Sequence, residues 1–140
     1  MRTLGIDFGE KRIGLAISDP LGILATPIET LESSEIDLVV SRLAQIISDH
    51  SVSQIVVGIP WNLSGKSSPQ TKKTFDFISF ISGNFEIPIK QIDERFTSVQ
   101  AKKKLRVEDK RSRKKQKKLP KGSIDSASAA IILQTYLDGR

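Results

Sequence analysis

The sequence contains no cysteine, so disulfide bonds and cysteine-ligated zinc sites are excluded. No apolar run approaches the ~20 residues that a membrane-spanning helix needs, and the residues after Met1 resemble no secretory signal peptide. Histidine occurs once, as His50, far from every motif described below, and we expect no catalytic role for it. These absences predict a cytoplasmic protein without a membrane partner.

Positive charge is in excess, and most of it lies in one segment. The formal net charge is +6, and 12 of the 22 lysine and arginine residues fall within residues 102–121. Only Glu108 and Asp109 oppose them there. A dense basic segment inside a chain predicts a polyanionic partner, above all nucleic acid, although a solvated charge run is the alternative interpretation. The candidate phosphate contacts in this segment are Lys114, Lys115, Lys117 and Lys118.

Hydropathy patterns predict a single domain over residues 1–140, with the basic segment internal to it. The predicted strands cover residues 3–8, 12–18, 23–31, 54–59 and 87–92. The predicted helices cover residues 36–50, 70–81 and 123–137, with a further helix that begins at Ser98 in a capping box. Pro27 suggests that the third strand lies at an edge of the sheet. This order predicts an α/β fold with one mixed sheet and helices on both faces.

Acidic residues stand at the ends of these predicted elements. Asp7 ends the first strand, Asp93 and Glu94 follow the last strand, and Asp125 lies in the first turn of the last helix. Taken singly, each has an ordinary structural explanation, such as a turn hydrogen bond or the helix dipole. If the first and last strands lie side by side, however, these carboxylates share one edge and need a cation. Oxygen ligands suit Mg²⁺ or Mn²⁺, and a pair of such ions supports phosphodiester cleavage.

A loop over residues 60–68 follows the buried fourth strand, where α/β proteins commonly carry binding groups. Asn62, Ser64 and the backbone amides of this loop are candidate phosphate contacts, and a plain connection is an equally good interpretation. Trp61, the only tryptophan, is expected either to stack on a base or to pack against the protein.

Four motifs resemble the YqgF/RuvX family, and they occur in order across nearly the whole chain. The first is Leu4–Gly9 with Arg12–Gly14, and the second is Val56–Pro60 with Asn62 and Gly65. The other two motifs are Asp93–Ser98 and Lys121–Gln134. Any one of them alone is weak, but four in order are specific.

The resemblance implies an RNase H-like fold with a mixed five-stranded sheet. It also implies a divalent-metal nuclease, described either in 5′-end processing of pre-16S rRNA, which we favour, or as a Holliday junction resolvase acting on four-way DNA. Asp7, Glu94 and Asp125 are then the catalytic carboxylates, and they bind Mg²⁺ or Mn²⁺, with two ions expected. Asp93 is the alternative metal ligand beside Glu94.

The resemblance further implies supporting roles in substrate binding for Arg95 and Thr97, with Arg95 directed toward a phosphate or a carboxylate. One position departs from the family pattern, since Ser64 stands where the family often has an acidic residue before the glycine.

Two functions from other classes compete with the nuclease. The run Ile6–Gly9 also resembles the phosphate loop of actin-like ATPases and sugar kinases, but those proteins use two such halves, and this chain supplies one. A nucleic-acid-binding factor without catalysis is the second, and the presence of all three acidic residues argues against it. Monomer and homodimer both remain open, and a junction resolvase would be expected to dimerise.

Overall fold

The protein is described here by a computed structural model covering residues 2–62, 64–95 and 123–140, with side chains described from Ser126 in the last range. Three predictions fall outside the described residues. They are the helix that begins at Ser98, the candidate substrate-binding residue Thr97, and the basic segment 102–121 with its four candidate lysines. The elements are β1 (Arg2–Phe8), β2 (Arg12–Ser18), β3 (Ala25–Glu32), α1 (Ile36–Asp49), β4 (Val52–Ile59), α2 (Pro69–Asn84), β5 (Ile89–Asp93) and α3 (Ser123–Asp138).

The five strands form one mixed sheet in the order β3-β2-β1-β4-β5. The strands β1, β2 and β3 pair antiparallel, whereas β4 pairs parallel with both β1 and β5. The predicted edge position of Pro27 is confirmed, and Ile28 is an extra residue in a bulge where Ala16 pairs with Pro27 and Leu15 with Glu29. A proline is tolerated there because an edge strand leaves one side without ladder hydrogen bonds.

The expected side-by-side arrangement of the first and last strands is wrong, because β4 lies between β1 and β5. The physical reason is the burial of β4, whose Val56 and Val57 are fully buried. A strand of β-branched residues that is covered on both faces belongs in the centre of a sheet, where it also has neighbours along both edges. Any contact between the ends of β1 and β5 must therefore cross β4.

Helices cover both faces of the sheet, as predicted. Leu4 and Ile6 of β1 join one core with the buried sides of α1 and α2. The other core contains Val56 from the sheet and Ala129 and Leu133 from α3. Strand residues alternate between faces, so Asp7 lies on the α3 face of β1.

Glycine lets α3 approach this face closely. A Cβ atom added at Gly5 would lie 2.8 Å from Cβ of Leu133 and 3.1 Å from the carbonyl oxygen of Ala129. A side chain at Gly5 would therefore hold α3 away from β1. Because glycine has none, α3 packs in close contact with the backbone of β1. None of the helices within the described ranges is long and apolar enough to cross a bilayer.

Candidate active site

Two of the predicted carboxylates meet at the carboxyl edge of the parallel strands. Asp7 stands near the end of β1, and Glu94 directly follows β5. The backbone N–H of Glu94 donates to the carbonyl oxygen of Ile59 at 3.0 Å, which ties the end of β5 to the end of β4. The side chains of Glu94 and Asp7 are hydrogen-bonded to each other. The sequence thus predicted the shared edge, although the two strands are not neighbours.

The contact between Asp7 and Glu94 runs across β4 at Gly58. A Cβ atom added at Gly58 would lie 3.3 Å from Oε2 of Glu94 and 2.6 Å from Cδ1 of Ile132 on α3. The Glu94 carboxylate therefore lies over the backbone of β4, on the face that α3 covers. Sequence reasoning missed Gly58, although a glycine that ends a buried β-branched run is a recognisable signal of close approach.

Burial raises the pKa of the Glu94 carboxyl, and the hydrogen bond from Asp7 opposes that rise. Two carboxyl groups at hydrogen-bond distance cannot both be ionised at low cost, so they need either a shared proton or a cation. A hard divalent cation would satisfy both groups, because Mg²⁺ and Mn²⁺ prefer oxygen ligands. The pair therefore fits the implied metal in the chemistry of its donors. No group of three or more metal-ligating side chains occurs among the described residues, and the side chain of Asp125 is not among them.

Asp93 is engaged differently from Glu94. Its carboxylate accepts hydrogen bonds from Nε and Nη2 of Arg95, at 2.8 and 2.6 Å to Oδ2, and from the backbone N–H of Arg95 at 3.0 Å. Hydrogen bonding to Arg95 lowers the pKa of Asp93 below its ordinary value. Arg95 was expected to be directed toward a phosphate or a carboxylate, and in the structure it contacts the Asp93 carboxylate. A substrate role for Arg95 and a metal role for Asp93 remain predictions.

The loop after β4 is organised by Asn62. Its side-chain oxygen accepts hydrogen bonds from the backbone N–H groups of Ser64 and Lys66, at 3.1 and 2.8 Å, and from the Ser64 hydroxyl at 2.9 Å. Gly65 has a φ of 78°, which favours glycine, and an added Cβ there would lie 3.1 Å from Nη1 of Arg95. Asn62 therefore shapes the loop beside Arg95, and contact of Asn62 with substrate remains a prediction.

Trp61 and His50 both have structural partners. Trp61 is half-buried and packs edge-on against Phe75, with ring centroids 5.7 Å apart, which matches the packing interpretation. His50 contacts Arg2 through Nδ1 at 2.9 Å, away from the carboxylate pair.

A family model described as "RuvX: Holliday junction resolvase" matches residues 1–139. The chain belongs to the RuvX family. A relative from Desulforamulus reducens, named "Putative pre-16S rRNA nuclease", is 44% identical over 99% of this chain and 97% of its own length. A relative from Oenococcus oeni with the same name is 43% identical over 99% of this chain and 94% of its own length.

Solved structures agree with the RuvX assignment at the level of the fold. RuvC of Thermus thermophilus, in complex with a Holliday junction substrate, matches with a TM-score of 0.58 and 17% identity, over 100% of this chain and 95% of its own. Fowlpox virus resolvase, in complex with Holliday junction DNA, matches with a TM-score of 0.59 and 17% identity, over 99% of this chain and 98% of its own. At this identity the likeness carries the RNase H-like fold alone.

The family assignment confirms the resemblance and the fold that were predicted from the four motifs. It also confirms, at the level of the RuvX family, the expectation of a hydrolase that acts on nucleic acid, since its members carry nuclease and resolvase names.

Proposed function

We propose that this chain is a divalent-metal-dependent nuclease that hydrolyses phosphodiester bonds in the 5′-end processing of pre-16S rRNA. The observation that carries the proposal is the Asp7–Glu94 carboxylate pair at the carboxyl edge of the sheet. The names of the RuvX relatives favour RNA as the substrate. Four-way DNA is the second candidate, favoured by the family description and by the junction DNA bound to the structural neighbours.

Asp7, Glu94 and Asp125 would hold one or two Mg²⁺ or Mn²⁺ ions through their carboxylate oxygens. When bound, such ions supply a water of lowered pKa and stabilise the charge on the leaving oxygen. The protein's own contribution is to hold the carboxylates in position before substrate arrives. The hydrogen bond from Glu94 to the carbonyl of Ile59 holds the end of β5 against β4, which limits movement of the Glu94 backbone.

The course of α3 supports the inclusion of Asp125. The hydroxyl of Tyr136 contacts Nε2 of Gln54 near the start of β4 at 3.2 Å, whereas Ala129 packs against Gly5 further along β1. The helix therefore runs antiparallel to β1, and its first turn lies toward the end of β1. Asp125 precedes Ala129 by four residues, or ~6 Å along the axis, and Asp7 follows Gly5 by two residues, or ~7 Å. Asp125, in the first turn of the helix, would thus lie at about the level of Asp7.

Residues 1–140 would act as one nuclease domain, with the basic segment 102–121 internal to it. The single sheet supports this, because all three described helices pack against it. We also infer that the basic segment holds substrate phosphates on either side of the cleaved bond. Both inferences rest on the composition and on the continuous RuvX match.

Replacing Lys114, Lys115, Lys117 and Lys118 with alanine is expected to weaken RNA binding and to flatten its salt dependence. Each lost phosphate contact removes ~0.7 from the slope of log K against log salt for a single strand, so four contacts remove up to ~3. The slope is measured by titrating labelled RNA in EDTA at several salt concentrations. A control that replaces the exposed Lys72 and Lys90 should leave the slope nearly unchanged. An unchanged slope in the fourfold variant excludes the segment as a phosphate contact.

The substrate preference is tested with a cleavage assay on the wild-type chain. Single-stranded RNA, a precursor rRNA leader and a four-way DNA junction are offered with Mg²⁺, with Mn²⁺ and with EDTA. We expect metal-dependent cleavage of the leader in preference to the other two. Preferential, symmetric cleavage of the junction would favour the resolvase instead and predicts a homodimer in solution. Retained RNA binding without cleavage of any substrate would contradict the nuclease and favour a binding factor.

A further inference from the structure

Glycine at position 58 stands where the Glu94 side chain crosses the sheet. The strands that carry Asp7 and Glu94 are separated by β4, yet their carboxyl groups are hydrogen-bonded. A Cβ atom added at Gly58 would lie 3.3 Å from Oε2 of Glu94, so the crossing occurs on the side where any other residue would have its side chain. No other residue type leaves this space empty.

We propose that Gly58 is a positioning residue of the nuclease site, because its missing side chain leaves the passage through which the Glu94 carboxylate reaches Asp7. The proposal rests on the proposed function in one respect, since it takes the Asp7–Glu94 pair to be the metal-binding pair. Gly58 itself touches neither substrate nor metal and acts only through Glu94.

The distances set the size of the expected effect. A Cβ at 3.3 Å from Oε2 of Glu94 is closer than ordinary van der Waals contact, so the carboxylate must move by a few tenths of an ångström. A shift of that size takes up much of the ~0.5 Å within which functional groups must be held, and changes in groups that orient metal ligands commonly cost about 10–100-fold in metal affinity. Even alanine at position 58 should therefore weaken metal binding about tenfold.

A second contact complicates the simple substitution. The added Cβ would lie 2.6 Å from Cδ1 of Ile132, so Gly58→Ala alone also pushes against α3. Ile132→Val removes Cδ1 and with it the severe contact. The Cγ1 atom of residue 132, at 3.2 Å, and Oε2 of Glu94, at 3.3 Å, remain and must each give by a few tenths of an ångström, so the metal-free melting temperature reports any remaining push against α3. The informative comparison is thus between Ile132→Val and the double variant Gly58→Ala/Ile132→Val.

Three quantities are measured for both variants: the Mn²⁺ dissociation constant by calorimetry, the metal-free melting temperature, and the affinity for a precursor rRNA leader in EDTA. We expect the double variant to bind Mn²⁺ about tenfold more weakly than Ile132→Val, with the other two quantities nearly unchanged. Gly83→Ala is the matched control, because an added Cβ at that position of α2 meets nothing within 4 Å. It should leave the Mn²⁺ affinity unchanged.

The proposal is overturned if the double variant binds Mn²⁺ as tightly as Ile132→Val. It is also overturned if melting temperature and RNA affinity fall together with Mn²⁺ affinity, because the effect then runs through the packing of α3. Failure of the proposed function looks different, since the wild-type chain itself would then bind no Mn²⁺ and cleave none of the substrates.

Discussion

Asp7→Asn is expected to reduce metal-dependent cleavage by at least about 1,000-fold, equivalent to ~4 kcal/mol in the activation free energy. The substitution replaces one oxygen ligand of the proposed metal site with a neutral amide of the same shape. The fold should be retained, because the amide N–H can still donate to the Glu94 carboxylate across β4. Without metal, the melting temperature of Asp7→Asn should equal or exceed that of the wild type, because the variant removes the repulsion between two adjacent carboxyl groups.

Two measurements check this prediction together. Cleavage of a precursor rRNA leader gives the activity, and the melting temperature with and without Mn²⁺ reports metal binding independently of activity. Mn²⁺ should raise the melting temperature of the wild type and not that of Asp7→Asn. The matched control is Asp76→Asn, the same chemical change at an exposed position of α2, which should behave like the wild type. Wild-type cleavage by Asp7→Asn would show that the site has been assigned wrongly.

Glu94→Gln and Asp93→Asn are expected to differ sharply, although the two residues are adjacent in the sequence. The Glu94 side chain is hydrogen-bonded to Asp7, whereas the Asp93 carboxylate is held by Arg95. We therefore expect Glu94→Gln to abolish the Mn²⁺-dependent rise in melting temperature and to lower activity as severely as Asp7→Asn. Asp93→Asn should retain that rise and lose less than about tenfold in activity, because partly exposed ion pairs contribute only ~0–1 kcal/mol.

The comparison of these two variants also decides which residue of the adjacent pair binds metal. Both are carboxylate-to-amide changes at one end of one strand, so each controls for general effects of the other. Arg95→Lys provides a further check, because lysine keeps the charge but cannot form the paired hydrogen bonds to Asp93. It should resemble Asp93→Asn. If Asp93→Asn rather than Glu94→Gln abolished the response to Mn²⁺, Asp93 would be the ligand and Glu94 a structural neighbour.

Most elements of the fold could be predicted from local patterns. The alternation of apolar residues in β2 gave its bounds, residues 12–18, and Pro27 indicated the edge strand. The ends of α2 were harder to predict from the sequence. Its Ser68 cap, which accepts a hydrogen bond from the Thr71 backbone N–H, involves Thr71 rather than the glutamate or glutamine that usually marks a capping box.

Strand order was the part of the fold that local patterns could not supply. Periodicity determines which residues face the core but carries no record of which strand pairs with which. The burial of β4 was predicted from its β-branched run, but burial alone does not show which strands lie beside it, and its position between β1 and β5 is seen only in the assembled sheet. For the same reason, the close approach that Gly58 signals could not be assigned to Glu94 before the strands were arranged in space.

The candidate site was predictable as a set of acidic residues at element ends, because chemistry at such edges needs clustered oxygen ligands. The hydrogen-bond partners of these acidic residues could not be predicted. A carboxylate beside an arginine in the sequence pairs with it only if the backbone turns suitably, as it does between Asp93 and Arg95. The proposed distinction between Glu94 as a metal ligand and Asp93 as an ion-pair partner therefore depends on three-dimensional geometry.

The contacts that fasten α3 join residues very far apart in the chain. Gln134 accepts a hydrogen bond from Ala25, 109 positions earlier, and Arg140 donates to Gly22, 118 positions earlier. During synthesis from the amino end, all five strands are therefore made before the helix that covers the Asp7 face exists. The face that carries the carboxylate pair is covered only once α3 (Ser123–Asp138) has been made, so a growing chain that has not reached this helix has all five strands but leaves the Asp7 face of its sheet uncovered.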